Sequence, residues 1–198
     1  GVAMRSKGLG ANVIVTEVDP IKAIEAKMDG FRVMRMVDAV KEAEIVITVT
    51  GCKDIIREEH LKVMKSGCIM GNVGHFDNEI SKVALDKLAK NVRRVREFVD
   101  EYEFEDGRKV CLISDGRLMN LAAGQGHPAE IMDMSFAVQA LSLEYLVNGY
   151  EGMKAEVFTQ PDSIDIDIAM TKLAAMGVTI DELTDEQRSY ITGWQEGT

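Results

Sequence analysis

The sequence predicts an α/β protein, with a doubly wound parallel sheet followed by a C-terminal helical segment. Two observations carry this prediction. Up to about residue 113, short runs rich in β-branched residues alternate with helical patterns, which is typical of a parallel sheet with crossover helices. Several of these runs are apolar along their whole length, as are strands covered on both faces. From residue 127 onward the pattern becomes mainly helical.

The elements of the first half follow in order. "ANVIVTEV" predicts a strand, and "DPIKAIEAKMDG" predicts a helix with Asp19 as N-cap, Pro20 at the first helical position and Gly30 as its stop. Further strands are predicted in "FRVM", "EIVITVT" and "CIMGNV", and further helices in "VDAVKEA", "REEHLKVMKSG" and "EISKVALDKLA". Two strands, "NVRRVREFVDEYEF" and "RKVCLIS", flank a turn at "EDGRK". The basic and then acidic character of the first of these predicts a solvated strand or hairpin.

The second half begins with a helix from Pro128 to Gly149 that is apolar on nearly all sides, so we expect it to be buried between layers or subunits. A short strand, "AEVFT", a helix around "DSIDIDIAMTKLAAMG" and a last helix opened by the capping-box pattern of Thr184 and Gln187 follow. We therefore predict three parts: a sheet domain over 1–126, a hinge and long helix over 127–150, and an oligomerisation segment over 151–198.

Composition excludes several classes of protein. The net charge of −10 argues against a general nucleic-acid binder, because little here would neutralise phosphates. No run approaches about 18 apolar residues, so we expect no membrane span. Three cysteines stand far apart without a CxxC motif, which predicts reduced, mostly buried thiols in a cytoplasmic protein and no metal site.

The first candidate binding residue is Glu17, at the carboxyl end of the first predicted strand. Ligands of doubly wound sheets bind outside these strand ends, and an acidic residue there accepts hydrogen bonds from a ribose 2′-OH, which favours NAD over NADP. The matching glycine fingerprint would lie about 20 residues upstream, before residue 1, so we expect N-terminal sequence and a first strand to be missing. The alternative for Glu17 is an ordinary solvated side chain.

The strand "EIVITVT" ends at Thr50 and Gly51, which offer a hydroxyl and a close backbone approach to a flat ligand. The alternative is an ordinary strand-to-helix turn capped by Asp54.

Two of only three histidines directly follow a glycine, in "NVGHF" and "GQGHP". His75 stands after a strand on what we expect to be a glycine-lined floor, and His127 precedes the long helix. Asn120 offers a donor and an acceptor that suit a carboxamide. We expect His75 and His127 to lie on opposite sides of one cleft, whereas His60, within a predicted helix, is expected to be structural.

Four stretches, "VIVTEVDPIKAIEA", "TVTGCKDII", "GNVGHFDNEI" and "DGRLMNLAAGQGHPAEIMDMSF", closely resemble the S-adenosyl-L-homocysteine hydrolase (adenosylhomocysteinase) family. The likeness continues to the last residues, "LTDEQRSYITGWQEGT". This ending resembles the shorter, archaeal or thermophile-type members of the family, which lack a Lys- and Tyr-bearing tail. The resemblance implies a Rossmann-like, NAD-binding domain. It also implies a homo-oligomeric enzyme that oxidises the substrate ribose at its 3′-hydroxyl, eliminates homocysteine, adds water and reduces the ketone again.

The resemblance also implies roles for individual residues. Those expected at the cofactor are Glu17, Thr50, Gly51, Val73, Gly74, His75 and Asn120, together with Lys22, where many relatives carry asparagine. Those expected at the substrate are His75, Phe76, His127 and Met132, with His75 and His127 as the catalytic residues. The family's N-terminal substrate domain is not matched here, so we expect the chain alone to show no turnover.

Two other interpretations remain open at the level of sequence. One is a relative of the NAD-dependent 2-hydroxyacid dehydrogenases, although an Arg–Glu–His arrangement is not found at corresponding sites. The other is a non-catalytic fragment that binds NAD or only associates. The choice between an adenosyl and an inosyl nucleoside, and between a dimer and a tetramer, also stays open.

Overall fold

A computed structural model describes residues 1–194. The chain divides into two compact units, one from Gly1 to Gly126 and one that starts at His127. The predicted segment 151–198 extends beyond the described residues at its end.

The first unit contains six α-helices and seven strands over its described length. The helices are α1 (Val2–Gly8), α2 (Pro20–Met28), α3 (Met36–Ala39), α4 (Glu58–Leu61), α5 (Lys82–Leu88) and α6 (Met119–Ala122). The strands are β1 (Ile14–Val15), β2 (Arg32–Val33), β3 (Ile45–Thr48), β4 (Ile69–Asn72), β5 (Ala89–Arg96), β6 (Val99–Phe104) and β7 (Lys109–Ile113). Strands and helices alternate as predicted, but most are shorter than their sequence patterns.

The strands form two sheets. The parallel pair β1–β2 is one, and the other has the order β3-β4-β7-β6-β5, in which β3, β4 and β7 run parallel. A parallel-dominated sheet with crossover helices, followed by a helical segment, confirms the predicted α/β fold class.

The last strands depart from the prediction of two strands around one turn. "NVRRVREFVDEYEF" reverses at Phe98, whose φ is +61°, and gives the antiparallel strands β5 and β6. The reversal places Arg93 opposite Glu101 and Arg94 opposite Asp100, with N–O distances of 2.8 and 2.6 Å. The basic and acidic halves therefore pair across one hairpin, because opposite charges facing each other stabilise antiparallel strands.

The core of the first unit lies on one face of the larger sheet. Met70 of β4 and Val110 and Leu112 of β7 are buried there in one cluster with Leu61 and Leu85, which α4 and α5 supply. Burying each such side chain contributes about 1.5 to 3 kcal/mol. This packing fixes the carboxyl ends of β3, β4 and β7 relative to one another.

The predicted start of α2 is confirmed. The Asp19 side chain accepts hydrogen bonds from the N–H groups of Ile21 at 2.8 Å and Lys22 at 3.4 Å, and Pro20 is the first helical residue. Gly30 has φ of +80° just after the helix, a conformation that favours glycine.

His60 takes the structural role expected of it and makes folding sensitive to pH. Its Nδ1 accepts the Arg57 N–H at 3.1 Å within a capping box, and only 4% of the residue is exposed. Burial lowers the pKa of His60 below its ordinary value of 6.5, although Glu59 acts in the opposite direction. The neutral ring is therefore the form that the fold stabilises.

We expect the free energy of unfolding to fall as the pH drops below about 6.5, because the unfolded chain then binds a proton that folded His60 resists. The contribution of neutral His60 to the free energy of unfolding is complete above the pKa that His60 has in the unfolded chain. It is lost as the pH falls through the lower pKa that His60 has in the folded protein. Urea unfolding between about pH 5 and pH 8 measures this slope. His60→Gln keeps a capping side chain at the same position and should flatten the slope. An equal slope in both proteins would contradict the assignment.

The second unit contains three α-helices within its described residues: α7 (Ala129–Gly149), α8 (Asp162–Ala175) and α9 (Asp185–Thr192). Lys172 of α8 contacts Asp133 of α7 at 2.7 Å. The reciprocal capping box between Thr184 and Gln187 is confirmed. The predicted strand "AEVFT" is wrong, since residues 155–159 form bends and irregular backbone.

The expected burial of α7 is not found within this chain. None of its residues is buried among the described residues, and Phe136, Leu143 and Val147 are each more than half exposed. Over residues 1–194, no helix is both long enough and apolar enough to cross a membrane.

Candidate functional site

The candidate site lies where β3 and β4 end side by side. These strands are in parallel register, with Thr48 opposite Asn72, and the Val73 N–H donates to the Thr48 carbonyl at 2.8 Å. The turn at Thr50–Gly51 and the turn at Val73–His75 therefore leave the sheet at one edge. This is the edge at which ligands of parallel α/β sheets bind.

A buried carboxylate, Glu79, joins the two turns. Its Oε2 accepts hydrogen bonds from Thr50 N at 3.1 Å and Thr50 Oγ1 at 3.0 Å, and its Oε1 accepts one from Gly51 N at 2.6 Å. Gly51 has φ of +70°, and the two successive N–H groups converge on the carboxylate as in an anion-binding nest. Glu79 is fully buried, and within residues 1–194 no basic side chain lies at ion-pair distance from it. Donors of the turn thus solvate this carboxylate.

Gly74 has a packing role within the protein, and its predicted place at the cofactor stays a prediction. A Cβ at this position would lie 1.6 Å from Glu79 Oε1 and 3.0 Å from Asn72 Oδ1. The space is therefore filled by the protein itself. Gly71 is similar, because a Cβ there would lie 2.3 Å from the sulfur of Met119.

Asn72 is fully buried at the end of β4 and uses both ends of its carboxamide. Its Oδ1 accepts from Gly74 N at 2.6 Å and from Thr48 Oγ1 at 3.2 Å. Its Nδ2 donates to the carbonyl of Phe76 at 2.7 Å and to that of Gly116 at 2.8 Å. One side chain therefore ties the end of β3, the turn after β4 and the segment after β7.

The segment after β7 has an unusual backbone. Ser114, Asp115 and Gly116 have successive φ values of +51°, +57° and +77°. Left-handed conformations at non-glycine residues cost about 1 kcal/mol or more and persist where surrounding contacts enforce them. Here the Ser114 N–H donates to the Phe98 carbonyl at 2.7 Å, and the Gly116 carbonyl meets Asn72.

A shallow cavity of about 550 Å³ opens between the segments that Asn72 holds. One wall carries His75, Phe76 and Asp77, and the other carries Arg117 and the apolar side chains of Leu118 and Leu121. The rings of His75 and Phe76 meet edge to face at a centroid distance of 4.3 Å. Both rings are exposed, so an imidazole and an aromatic ring are available to a ligand here.

Asn120, on α6, has the property expected of a ligand-binding amide. Its Oδ1 is buried and has no hydrogen-bond partner within the described part of the chain. Buried polar atoms are nearly always paired, so this acceptor can receive a donor from a ligand or from a water molecule. An amide N–H₂ group is such a donor.

Glu17 lies in the connection that follows β1 of the smaller sheet, and Lys22 lies in the first turn of α2. Glu17 Oε1 accepts from the N–H groups of Val18 at 2.6 Å and Asp19 at 3.0 Å. The bonds from Asp19 and Val18 lower the pKa of the Glu17 carboxyl group. The carboxylate is exposed and ionised at neutral pH. Lys22 is exposed beside it along the helix.

His127 and Met132 lie in the second unit, His127 exposed and Met132 half-buried on α7. Their grouping with His75 around one cleft stays a prediction.

Sequence reasoning missed Asn72 and Glu79. Glu79 stands in "FDNEI", where no local pattern separates it from the exposed Asp77 and Asn78. Asn72 ends a strand run in "CIMGNV", and a polar residue in that place is usually a turn signal.

The fold and this edge define an α/β domain of the dinucleotide-binding class. Residues 1–126 match the family model described as "S-adenosyl-L-homocysteine hydrolase, NAD binding domain". The chain therefore belongs to the S-adenosyl-L-homocysteine hydrolase family, which confirms the resemblance seen in its motifs, and NAD is confirmed as the cofactor of this domain.

Relatives match over the whole chain. The chain is 54% identical to the S-inosyl-L-homocysteine hydrolase of Methanocaldococcus jannaschii and covers 48% of that protein. It is 53% identical to the adenosylhomocysteinase of Pyrococcus abyssi and 52% identical to that of Aquifex aeolicus, covering 47% of each. In all three comparisons, 100% of this chain is aligned. The chain thus spans about half the length of the curated relatives it matches.

Proposed function

We propose that this protein takes part in the NAD-dependent, reversible hydrolysis of a nucleoside thioether, S-adenosyl-L-homocysteine or its inosyl analogue. The products are L-homocysteine and the nucleoside. The observation that carries the proposal is whole-chain identity above 50% to relatives named as hydrolases of these two compounds. The reaction passes through oxidation at the ribose 3′ position, elimination of homocysteine, addition of water and re-reduction.

The residues at the sheet edge fit a dinucleotide. When bound, NAD supplies the hydride acceptor and donor of the reaction. The unpaired Asn120 Oδ1 accepts from a carboxamide N–H₂ group, and the exposed Glu17 carboxylate accepts from ribose hydroxyls. The backbone of Thr50–Gly51 and Val73–Gly74 lines the cofactor between them. Lys22 stands near Glu17, on the adjoining helix.

The substrate is assigned to the side of the edge that carries His75 and Phe76. These exposed rings line the cavity after β4, and an imidazole can accept or return a proton near neutral pH. His127 is the second catalytic residue and Met132 contacts the nucleoside in this proposal. A hydrolase of this kind acts in the cytoplasm, which suits the free thiols of Cys52, Cys68 and Cys111.

We also assign α7 to contact between copies of the chain in a homo-oligomer. Large apolar side chains, among them Phe136, Leu143 and Val147, remain exposed along it. Exposed apolar surface of this extent is typical of association surfaces. Analytical ultracentrifugation tests this assignment, and a monomer at all concentrations would contradict it.

The reaction is tested with the polypeptide encoded by the intact gene. S-adenosyl- and S-inosyl-L-homocysteine are supplied separately, and the homocysteine thiol released is measured with a thiol reagent. We expect release from at least one compound, and the ratio of kcat/KM values identifies the nucleoside. Absence of thiol from both would overturn the proposal. The 198-residue chain alone is assayed in parallel and is expected to release none.

Asn120→Ala should separate cofactor binding from folding. Its Oδ1 has no partner within the described chain, so removing it should change the free energy of unfolding by less than about 0.5 kcal/mol. The Kd for NAD should rise about tenfold, because a ligand amide loses one buried acceptor. Calorimetric titration with NAD measures the Kd, and Asn91→Ala on the exposed face of β5 is the control. An unchanged Kd would argue against Asn120 as the carboxamide partner.

A further inference from the structure

Glu79 is a buried acid to which the proposed function gives no role. Its carboxylate takes three hydrogen bonds from Thr50 and Gly51, and its backbone carbonyl accepts from Ile55 N at 2.8 Å and Ile56 N at 3.0 Å. Glu79 thus holds both ends of the turn from residue 50 to residue 56. Burying a charge without a cationic partner is costly unless several donors solvate it. The buried position of Glu79 therefore calls for a structural role that offsets this cost.

We propose that Glu79 is the positioning residue of the cofactor edge and that its carboxylate serves as a built-in anion for the Thr50–Gly51 turn. This inference rests on the proposed function for its ligand. Glu79 reaches one turn through hydrogen bonds and meets the other at Gly74, where its carboxylate fills the space of a side chain. The two turns therefore have one fixed relation, set before any ligand binds.

The built-in anion also determines what this part of the edge accepts. Successive N–H groups in a left-handed turn ordinarily bind phosphate. Here the N–H groups of Thr50 and Gly51 and the Thr50 hydroxyl are already engaged by Glu79. A phosphate at Thr50 and Gly51 would find these donors already engaged and would be repelled by the carboxylate. The turn accordingly receives an uncharged or cationic part of a ligand, such as a sugar or a nicotinamide ring, and excludes the pyrophosphate.

The test is chemical rescue of Glu79→Ala in the full-length protein. Removing the carboxylate leaves a vacant anion site lined by the same donors, which formate can fill. Two readouts are taken: the rate at which bound NAD dissociates, and hydrogen–deuterium exchange of the Thr50 and Gly51 amides. We expect both rates to rise about tenfold or more, because a charged acceptor is lost, and formate to restore them. Sodium chloride at equal ionic strength should restore neither.

Two further variants keep the test decisive. Glu79→Gln retains the shape but aims an amide N–H₂ group at donors, so it should raise both rates without formate rescue. Glu101→Ala removes a carboxylate that pairs with Arg93 on the hairpin, away from both turns, and should change neither rate. Should Glu79→Ala fail to fold, the Glu79→Gln rates decide.

The outcomes separate the two proposals. Unchanged amide exchange in Glu79→Ala and Glu79→Gln would overturn the positioning role, whether or not NAD is bound. Faster exchange with formate rescue supports it. A full-length protein that binds no NAD overturns the proposed function instead. Hydrogen–deuterium exchange of the Thr50 and Gly51 amides then still tests the positioning role of Glu79.

Discussion

Asn72→Asp should destabilise the first unit by about 3 to 5 kcal/mol. The change replaces the N–H₂ group by an oxygen that faces the carbonyls of Phe76 and Gly116, which lie at 2.7 and 2.8 Å. Two carbonyls lose their donor, and a negative charge is placed in a fully buried position. Urea unfolding followed by circular dichroism measures the loss.

Asn78→Asp is the matched control for this prediction. It makes the same chemical change six residues along the chain, at an exposed position, and should stay within about 0.5 kcal/mol of the unmodified protein. Thr48→Val removes only the weaker donor to Asn72 Oδ1 and should cost about 1 kcal/mol. Equal losses in the two asparagine variants would show that Asn72 does not tie the three segments together.

Gly74→Ala should destabilise the protein by about 3 kcal/mol or more and abolish its retention of NAD. The new Cβ would lie 1.6 Å from Glu79 Oε1, so the carboxylate would have to leave its three donors. The backbone at Gly74 is not in the left-handed region, so the cost comes from overlap and not from strain. Thermal unfolding and the absorbance of released NAD measure the two effects.

A double-mutant cycle with Glu79→Ala makes this prediction sharper. In the Glu79→Ala background the overlap is gone, so adding Gly74→Ala should cost less than about 1 kcal/mol. Gly8→Ala is the control, because no heavy atom of the described chain lies within 4 Å of a Cβ there and its φ is not positive. Additive losses in the cycle would contradict the contact between Gly74 and Glu79.

Local patterns account for much of the fold. The caps of α2 and α9 were predicted because their signals act within four residues, as with Asp19 and with Thr184 and Gln187. The sequence left the β5–β6 segment open between a strand and a hairpin, because Glu97 and Phe98 are not typical turn residues and Phe98 adopts positive φ without being glycine. There the pairing of β5 with β6 along their length, in which Arg94 faces Asp100, outweighs local preference.

The residues of the candidate site also form two groups, those that local sequence patterns indicate and those whose partners only the fold brings close. His75, Phe76 and Asn120 were selected because glycine-rich turns and exposed ring or amide side chains mark ligand sites in sequence. Asn72 and Glu79 could not be selected, because their importance lies in partners 24 to 44 residues away along the chain. The residue type alone does not distinguish a buried glutamate from an exposed one.

The sequence by itself determined the fold class, the family and the set of polar and glycine-rich turns from which a site could be built. These follow from composition, periodicity and motif, which are local properties of the chain. The tertiary structure alone decided why Gly74 is glycine, which acid is buried and which amide acceptor is left unpaired. The physical reason is that burial and hydrogen-bond satisfaction depend on which strand ends lie side by side, and β3, β4 and β7 meet only after long crossovers have folded.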